Sequence, residues 1–182
     1  MEFRTYDYWD DKIWAEAGPI YEKAFAGKGA KPEKVIRNMF KKQICFLQIG
    51  LIDEKAVAIA LTGKLPGNHG LVIDYMAVRE DWQHLGIGRE MVDRIKYWAI
   101  SKNEIERMMI EVEAESTAEN LSRIHFWENC GFSLSDYVHH YIWVPEPYKA
   151  MYLDLVPGTF LQSGKELFQY IGQFHKFSFQ GA

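Results

Sequence analysis

Apolar residues along the chain follow two spacings. In seven segments they form alternating or continuous runs of strand length, and these segments are 2–8, 45–51, 56–62, 71–78, 108–115, 137–144 and 148–155. In four others they recur every three or four residues, as on one face of a helix, and these are 13–25, 33–42, 91–99 and 121–130. The order of these segments predicts a single mixed α/β domain.

The stretch 71–100 combines a strand, a glycine-containing loop and an amphipathic helix. Gly86 and Gly88 lie just before the helical pattern. A glycine turn at a helix start leaves backbone N–H groups unpaired, and the helix dipole adds positive charge there. This geometry predicts a phosphate-binding loop. The spacing fits neither the dinucleotide fingerprint G-x-G-x-x-G nor the P-loop, although a nucleotide-binding domain remains an alternative that rests on the glycines alone.

Two motifs point to a family. Gln83, Gly86 and Gly88 form Q-x-x-G-x-G behind a strand that ends in Met76-Ala77-Val78. This resembles the acyl-coenzyme-A signature R/Q-x-x-G-x-G/A of the GCN5-related N-acetyltransferase (GNAT) superfamily. Residues 120–132, NLSRIHFWENCGF, are similar to the family's later segment N-x-x-(A/S)-x-x-(F/L)-Y-x-x-x-G-F.

The resemblance covers about residues 1–155 and implies both fold and activity. The implied fold is a mixed, mostly antiparallel central sheet of about six to seven strands, flanked by helices. A parallel, splayed strand pair would lie at the cofactor site. The implied activity is acetyl transfer from acetyl-coenzyme A (acetyl-CoA) to the primary amine of a small-molecule or peptide acceptor by direct attack in a ternary complex. The acceptor itself is not identified by the motifs.

The resemblance also implies cofactor contacts. The backbone of residues 85–89 would bind the pyrophosphate, and the free main-chain groups of the splayed strand would pair with the pantetheine arm. The Met76 N–H would also polarise the thioester carbonyl, as an oxyanion hole does. The implied cofactor-binding residues are Met76, Val78, Gln83, His84, Leu85, Gly86, Ile87, Gly88, Arg89, Asn120 and Trp127. For Asn120, a hydrogen bond at the helix start is the alternative role.

The attacking amine must lose a proton, and Asp74 is the candidate base. It lies two residues before Met76, so strand alternation predicts that the two side chains share a face. The alternative is that Asp74 is an ion-paired structural residue. Glu111, Glu113 and Glu115 alternate along the next strand, where they form either a solvated face or an acceptor cleft that attracts a cationic amine.

Trp127 departs from the family pattern, which commonly has a tyrosine there to protonate the leaving thiolate. An indole N–H is not a usable acid. The acid could then be Tyr137, Tyr141 or water, or no acid is needed. Alternatively, the chain is an acyl-CoA-binding sensor or pseudoenzyme without turnover.

Composition narrows the class of protein. The 182 residues include 21 Lys and Arg against 25 Asp and Glu, a net charge of −4. The absence of a basic block argues against a nucleic-acid partner. We expect no membrane partner, because no apolar run approaches the ~20 residues of a membrane span. The N-terminus does not resemble a signal peptide, and two cysteines fit a reducing compartment, so we expect a cytoplasmic protein. His139 and His140 lack Cys or His partners at ligand spacing, so we expect no metal.

The C-terminal segment follows the matched region. We predict an acetyltransferase domain at 1–156 and a helical appendage of the same domain at 157–182, with a helix at 163–174. The appendage carries Leu167, Phe168, Ile171, Phe174 and Phe177 on or near one face. This face is expected to pack on its own sheet or on a second subunit, which leaves a homodimer possible.

Overall fold

The computed structural model describes residues 1–27, 29–102, 104–142, 144–157 and 163–182. Parts of two predicted segments lie outside these ranges. They are Trp143 in the predicted strand 137–144 and residues 158–162 at the start of the predicted appendage.

Within the described residues the chain forms seven strands and five helices. In chain order they are β1 Glu2–Tyr6, α1 Asp11–Phe25, α2 Glu33–Lys41, β2 Cys45–Ile52, β3 Lys55–Gly63, β4 Gly70–Val78, α3 Ile87–Ser101, β5 Arg107–Glu113, α4 Ala118–Asn129, β6 Ser133–His140, β7 Pro147–Asp154 and α5 Gly164–Phe179. A short 3₁₀ turn, Glu80–Trp82, follows β4. In the part of the chain that the structure covers, no helix is long and apolar enough to cross a membrane.

The strands form one sheet in the order β1-β2-β3-β4-β5-β7-β6. Every neighbouring pair is antiparallel except β4 and β5. Helix α3 carries the chain back between these two strands, which makes a parallel pair possible. One hydrophobic cluster packs α1, α2 and α5 on one face of the sheet, and a second packs α3 and α4 on the other. This architecture confirms the predicted GNAT-like fold.

The parallel pair is short. β4 and β5 are paired only where Gly70, Leu71 and Val72 lie opposite residues 107–109. Beyond that point β5 continues to pair with β7 as far as Glu113, while β4 continues to pair with β3 as far as Val78. The two strands therefore separate in the middle of the sheet, and the β4 edge from residue 73 onwards is not covered by β5.

A β-bulge lies at the separation. Leu61 of β3 is opposite Tyr75, but Thr62 is opposite Ile73, so Asp74 is the additional residue. Asp74 pairs with Lys31 on the α1 face of the sheet, and Tyr75 packs against α1 on that same face. Met76 packs in the opposite cluster. The prediction that Asp74 and Met76 share a face is therefore wrong, because the bulge interrupts the alternation.

Helix α5 packs on the sheet of its own chain. It begins with a capping box between Ser163 and Glu166 and contacts α2, β6 and β7. Its apolar side chains are buried in the cluster shared with α1 and α2, and these are Leu167, Phe168, Tyr170, Ile171 and Phe174. α5 is therefore continuous with the main core, and it extends five residues beyond the predicted end at residue 174.

Candidate active site

The start of α3 is open to an anion. Gly86 has a φ of 80° and no side chain caps the helix there, whereas an Asp, a Thr and a Ser side chain cap α1, α4 and α5. The first helical hydrogen bond runs from the Glu90 N–H to the Gly86 carbonyl. The N–H groups of residues 87–89 precede it and so have no partner within the helix. A phosphate would satisfy these N–H groups.

The loop before α3 presents the predicted contact residues to solvent. Four of these residues are exposed, and they are Gln83, His84, Leu85 and Arg89. The Ile87 side chain is instead buried in the core. A Cβ at Gly88 would lie 3.3 Å from the Phe126 ring. The missing side chain thus allows the start of α3 to lie close to α4.

The exposed edge of β4 offers main-chain groups. The Arg79 N–H donates to Val57 of β3, and successive residues of a strand point their main-chain groups in opposite directions. The groups of Met76 and Val78 therefore point towards β5, which has already diverged. The Val78 carbonyl accepts a hydrogen bond from Gln83 Nε2 at 3.0 Å, so the motif glutamine closes the end of this edge.

Asn120 and Trp127 are both buried. The Asn120 side-chain amide donates to the Glu115 carbonyl at 3.1 Å, which ties the start of α4 to the end of β5. The Trp127 side chain, 3% exposed, packs against the rings of Phe126 and Phe132. A contact of either side chain with a cofactor stays a prediction.

Asp74 forms a buried ion pair. Lys31 Nζ lies 2.6 Å from both of its carboxylate oxygens, and each side chain is 3% exposed. The Lys31 main chain is fixed as well, because its N–H donates to the Tyr75 hydroxyl and its carbonyl accepts from the Tyr21 hydroxyl, both at 3.0 Å. Asp74 is thus ion-paired, as expected if it is a structural residue. Its role as a general base stays a prediction.

A second carboxylate lies next to this pair. His175 Nε2 of α5 is 2.8 Å from Glu111 Oε2, and the Tyr141 hydroxyl donates to the other Glu111 oxygen. Burial acts to raise the pKa of Glu111, but the hydrogen bond and charge of His175 and the bond from Tyr141 outweigh it and lower this pKa. Burial and the Glu111 charge raise the pKa of Tyr141. The carboxylate therefore stays ionised at neutral pH, and Tyr141 is a poor acid.

His175 joins the Asp74–Lys31 pair to the Glu111 carboxylate, because its Nδ1 lies 3.2 Å from Lys31 Nζ. The structure thus brings Asp74 and Glu111 together beside the point where β4 and β5 separate. It does not bring Glu113 there, because that side chain pairs with Arg123 at 3.8 Å; Glu115 and His125 are exposed.

Sequence reasoning missed Lys31 and His175. A usable signal existed for His175, which follows Phe168 by seven residues and Ile171 by four and so lies on the buried face of α5. Lys31 gave no such signal, because its partners are 43 and 144 residues away along the chain.

Comparisons with known proteins agree with this geometry. Residues 9–132, more than half of the chain, match the acetyltransferase (GNAT) family. No curated protein matches the chain.

Solved structures share the fold at low sequence identity. The ribosomal-protein-S18-alanine N-acetyltransferase from Escherichia coli has a TM-score of 0.64 and 18% identity, with 88% of this chain and 100% of that chain covered. An aminoglycoside 6'-N-acetyltransferase complexed with coenzyme A has a TM-score of 0.68 and 10% identity, with 88% and 100% covered. A Bacillus subtilis acetyltransferase in complex with CoA has a TM-score of 0.60 and 16% identity, with 85% and 99% covered. Together with the sequence match, the divided sheet and the uncapped glycine start of α3 lead to one conclusion: this chain belongs to the acetyltransferase (GNAT) family.

Proposed function

We propose that the chain transfers an acetyl group from acetyl-CoA to a primary amine by direct attack in a ternary complex. The observation that carries this proposal is the early separation of β4 from β5 next to the uncapped start of α3. One region offers free N–H groups for a pyrophosphate. The other offers an uncovered strand edge for an extended amide-containing arm. The residues present therefore fit acetyl-CoA.

Acetyl-CoA, when bound, supplies an activated acetyl thioester. Within the chain, the N–H groups of residues 87–89 would hold the phosphates, and the uncovered main chain of Met76 would orient the arm. The Met76 N–H would donate a hydrogen bond to the acetyl carbonyl oxygen. Each of these contacts uses the backbone, so the side chains of β4 remain free to form the core.

The proton of the acceptor amine needs a recipient. The Asp74 side chain is only 3% exposed, whereas those of Glu111 and His175 are 17% and 23% exposed, so we assign the recipient to the Glu111–His175 pair, with His175 Nδ1 exchanging its contact with Lys31 for one with the acceptor amine. An imidazole nitrogen can accept a proton, and an ionised carboxylate bonded to the other ring nitrogen stabilises the charged ring. Asp74 then acts by holding Lys31 in place.

A surface groove adjoins this pair at Tyr141. This groove of about 710 Å³ lies between α5 and the chain at 139–142, and Tyr141, Phe168 and Gly172 are among its lining residues. Its volume is that of a small-molecule site. Tyr141 belongs both to the groove and to the carboxylate cluster. The acceptor class we propose is therefore a cationic amine with an apolar body.

The first test is calorimetric titration with acetyl-CoA of the wild type and of Gly86→Glu. We expect micromolar binding by the wild type and its loss in the variant, because a side chain at φ 80° strains the loop and a carboxylate repels the phosphates. Gly67→Glu is the matched control, since Gly67 also has a positive φ of 72° with open space around it, and it should bind normally.

Turnover separates the enzyme from a sensor. The buried Trp127 provides no hydroxyl acid, which favours an acyl-CoA sensor as the second candidate. Release of free thiol with a panel of amines supports the transferase. A protein that binds acetyl-CoA but releases thiol no faster than background with any amine is the sensor.

A further inference from the structure

Lys31, His175 and Glu111 form a consecutive hydrogen-bonded set. Lys31 Nζ is 3.2 Å from His175 Nδ1, and His175 Nε2 is 2.8 Å from Glu111 Oε2. A lysine ammonium only donates hydrogen bonds, so Nδ1 accepts and the ring hydrogen lies on Nε2, directed at the carboxylate. An attacking group, a base within hydrogen-bond reach and a third group that orients the base are the parts of an activated nucleophile.

This set lies where the acetyl donor is expected. Lys31 Nζ is bonded to the side chain of Asp74, which belongs to the β4 segment left uncovered by β5. The Asp74 side chain is 3% exposed, yet the residue as a whole is only half-buried. Its main chain therefore accounts for most of its exposure. The amine of Lys31 thus lies on the α1 face, at the β4 residue that is two positions before Met76.

The surroundings of Lys31 exclude water. The rings of Tyr75 and Phe174 lie 5.2 Å and 5.5 Å from its ammonium, and its main chain is held by Tyr21 and Tyr75. A held amine in a dry site meets the positional requirement for attack. Among the lysines that the structure describes, this buried amine is the one that a reagent from bulk solvent would reach last.

We propose that Lys31 is itself an acetyl acceptor, modified by its own chain from acetyl-CoA; this rests on the proposed function. One proton of the Lys31 ammonium passes to His175 Nδ1, and the resulting imidazolium is stabilised by Glu111. The neutral Nζ forms a bond to the acetyl carbon as the carbon–sulfur bond breaks. A second amine proton leaves with the sulfur, so that free coenzyme A thiol and an N-acetyl-lysine amide are the products.

The modification would change the charge of the site. The amide carries no charge, so Asp74 loses the cation that lies 2.6 Å from it. Acetylation at Lys31 therefore raises the negative charge at the proposed acceptor site by one unit.

The experiment needs no external amine. The protein is incubated with acetyl-CoA or, separately, with the N-hydroxysuccinimide ester of acetic acid, and acetylation of Lys31 and of exposed Lys34 is quantified by peptide mass spectrometry. We expect acetyl-CoA to modify Lys31 at least tenfold faster than Lys34, and the ester to reverse this order. The proposal would be overturned if both reagents modified Lys31 more slowly than Lys34.

Two histidine variants test the role of His175 as the base. His175→Asn should slow acetylation of Lys31 at least tenfold, which is the lower range for loss of a general base. His125→Asn, which changes an exposed histidine of α4, should leave it unchanged. An equal rate in His175→Asn, with an unchanged melting temperature, would remove His175 from the reaction and contradict the proposal.

The outcomes separate this inference from the proposed function. Calorimetric binding of acetyl-CoA without preferential acetylation of Lys31 refutes the inference and leaves the donor seat intact. Absence of acetyl-CoA binding refutes the proposed function and, with it, the inference. Preferential acetylation of Lys31 that persists in Gly86→Glu would show a reaction away from the donor seat and would also refute the inference.

Discussion

At the scale of single residues, the chemistry of the site depends on how buried charges are compensated. Asp74 and Glu111 are two carboxylates, and Lys31 supplies one ammonium. The cluster therefore has a net charge of minus one when His175 is neutral. Removing one partner of a buried pair leaves the other charge uncompensated, which commonly costs about 3–5 kcal/mol. A cationic amine entering the groove would be attracted by the remaining negative charge.

The lowered pKa of Glu111 predicts a specific pH dependence. A carboxyl group with a depressed folded-state pKa stabilises the fold above its unfolded value of about 4.3. This contribution is lost as the pH falls through the folded-state pKa. We therefore expect the difference in free energy of unfolding between wild type and Glu111→Gln to shrink as the pH decreases below about 4.3.

Urea unfolding at several pH values measures this difference. Glu113→Gln is the control, since the half-exposed Glu113 is 3.8 Å from Arg123, and its difference from wild type should vary less. A Glu111→Gln difference that grew on acidification would contradict the assignment.

The same residues show how far sequence reasoning extends. Asp74 could be singled out as a carboxylate inside an apolar strand. Its orientation could not be, because the bulge depends on the pairing of β4 with β3 and not on local pattern. Its partner Lys31 was equally inaccessible, since a single sequence contains no sign of pairs between distant segments. His175 could have been noticed from its place on the apolar face of α5.

At the scale of elements, the local patterns of apolar residues predicted the strands and helices correctly in type and order. All seven strands and the four helices of the main domain were predicted in their observed order, because each buries one face with its own period. The boundaries of β6 were wrong by about four residues. It spans Ser133–His140, not 137–144, because Ser133 and Leu134 pair with Tyr152 and Met151 of β7, a contact between distant segments that the local pattern does not contain.

Alanine substitutions at two glycines near α5 should have opposite effects on stability. A Cβ at Gly63 of β3 would overlap the Phe174 ring, whereas one at Gly172 of α5 would meet nothing within 4 Å. Gly63→Ala should destabilise the fold by about 1–3 kcal/mol through overpacking. Gly172→Ala should stabilise it by about 0.5–1 kcal/mol, because alanine loses less entropy in a helix.

Urea denaturation of both variants tests this contrast. Adding Phe174→Leu should reduce the cost of Gly63→Ala, since the shorter side chain makes room for the methyl group. If both glycine variants shifted stability in the same direction, the packing of α5 against β3 would need to be revised.

At the scale of the whole molecule, α5 is an integral part of the core by its burial. Fully burying a large apolar side chain contributes about 1.5–3 kcal/mol, and α5 buries Leu167, Phe168, Ile171 and Phe174. Their sum is comparable with the entire stability of a domain, about 5–15 kcal/mol.

A chain that ends at Pro157 is therefore expected to lose cooperative folding. Circular dichroism melting and light scattering would show a broad transition and association through the exposed face of the sheet. A monomer that melted at the wild-type temperature would instead make the appendage dispensable.

The three-residue pairing between β4 and β5 has a mechanical consequence. The sheet consists of two plates of hydrogen-bonded strands, β1–β4 and β5–β7, joined along a short seam at Gly70–Val72. Helix α5 braces both plates, because it packs on β6 and β7 while the Tyr170 hydroxyl donates to the Gly70 carbonyl at 2.6 Å. A small rotation about the seam would widen or narrow the gap between the plates without breaking a hydrogen bond inside either, so α5, which is attached to both, is the element that would oppose a change in the width of the gap where a thioester would have to fit.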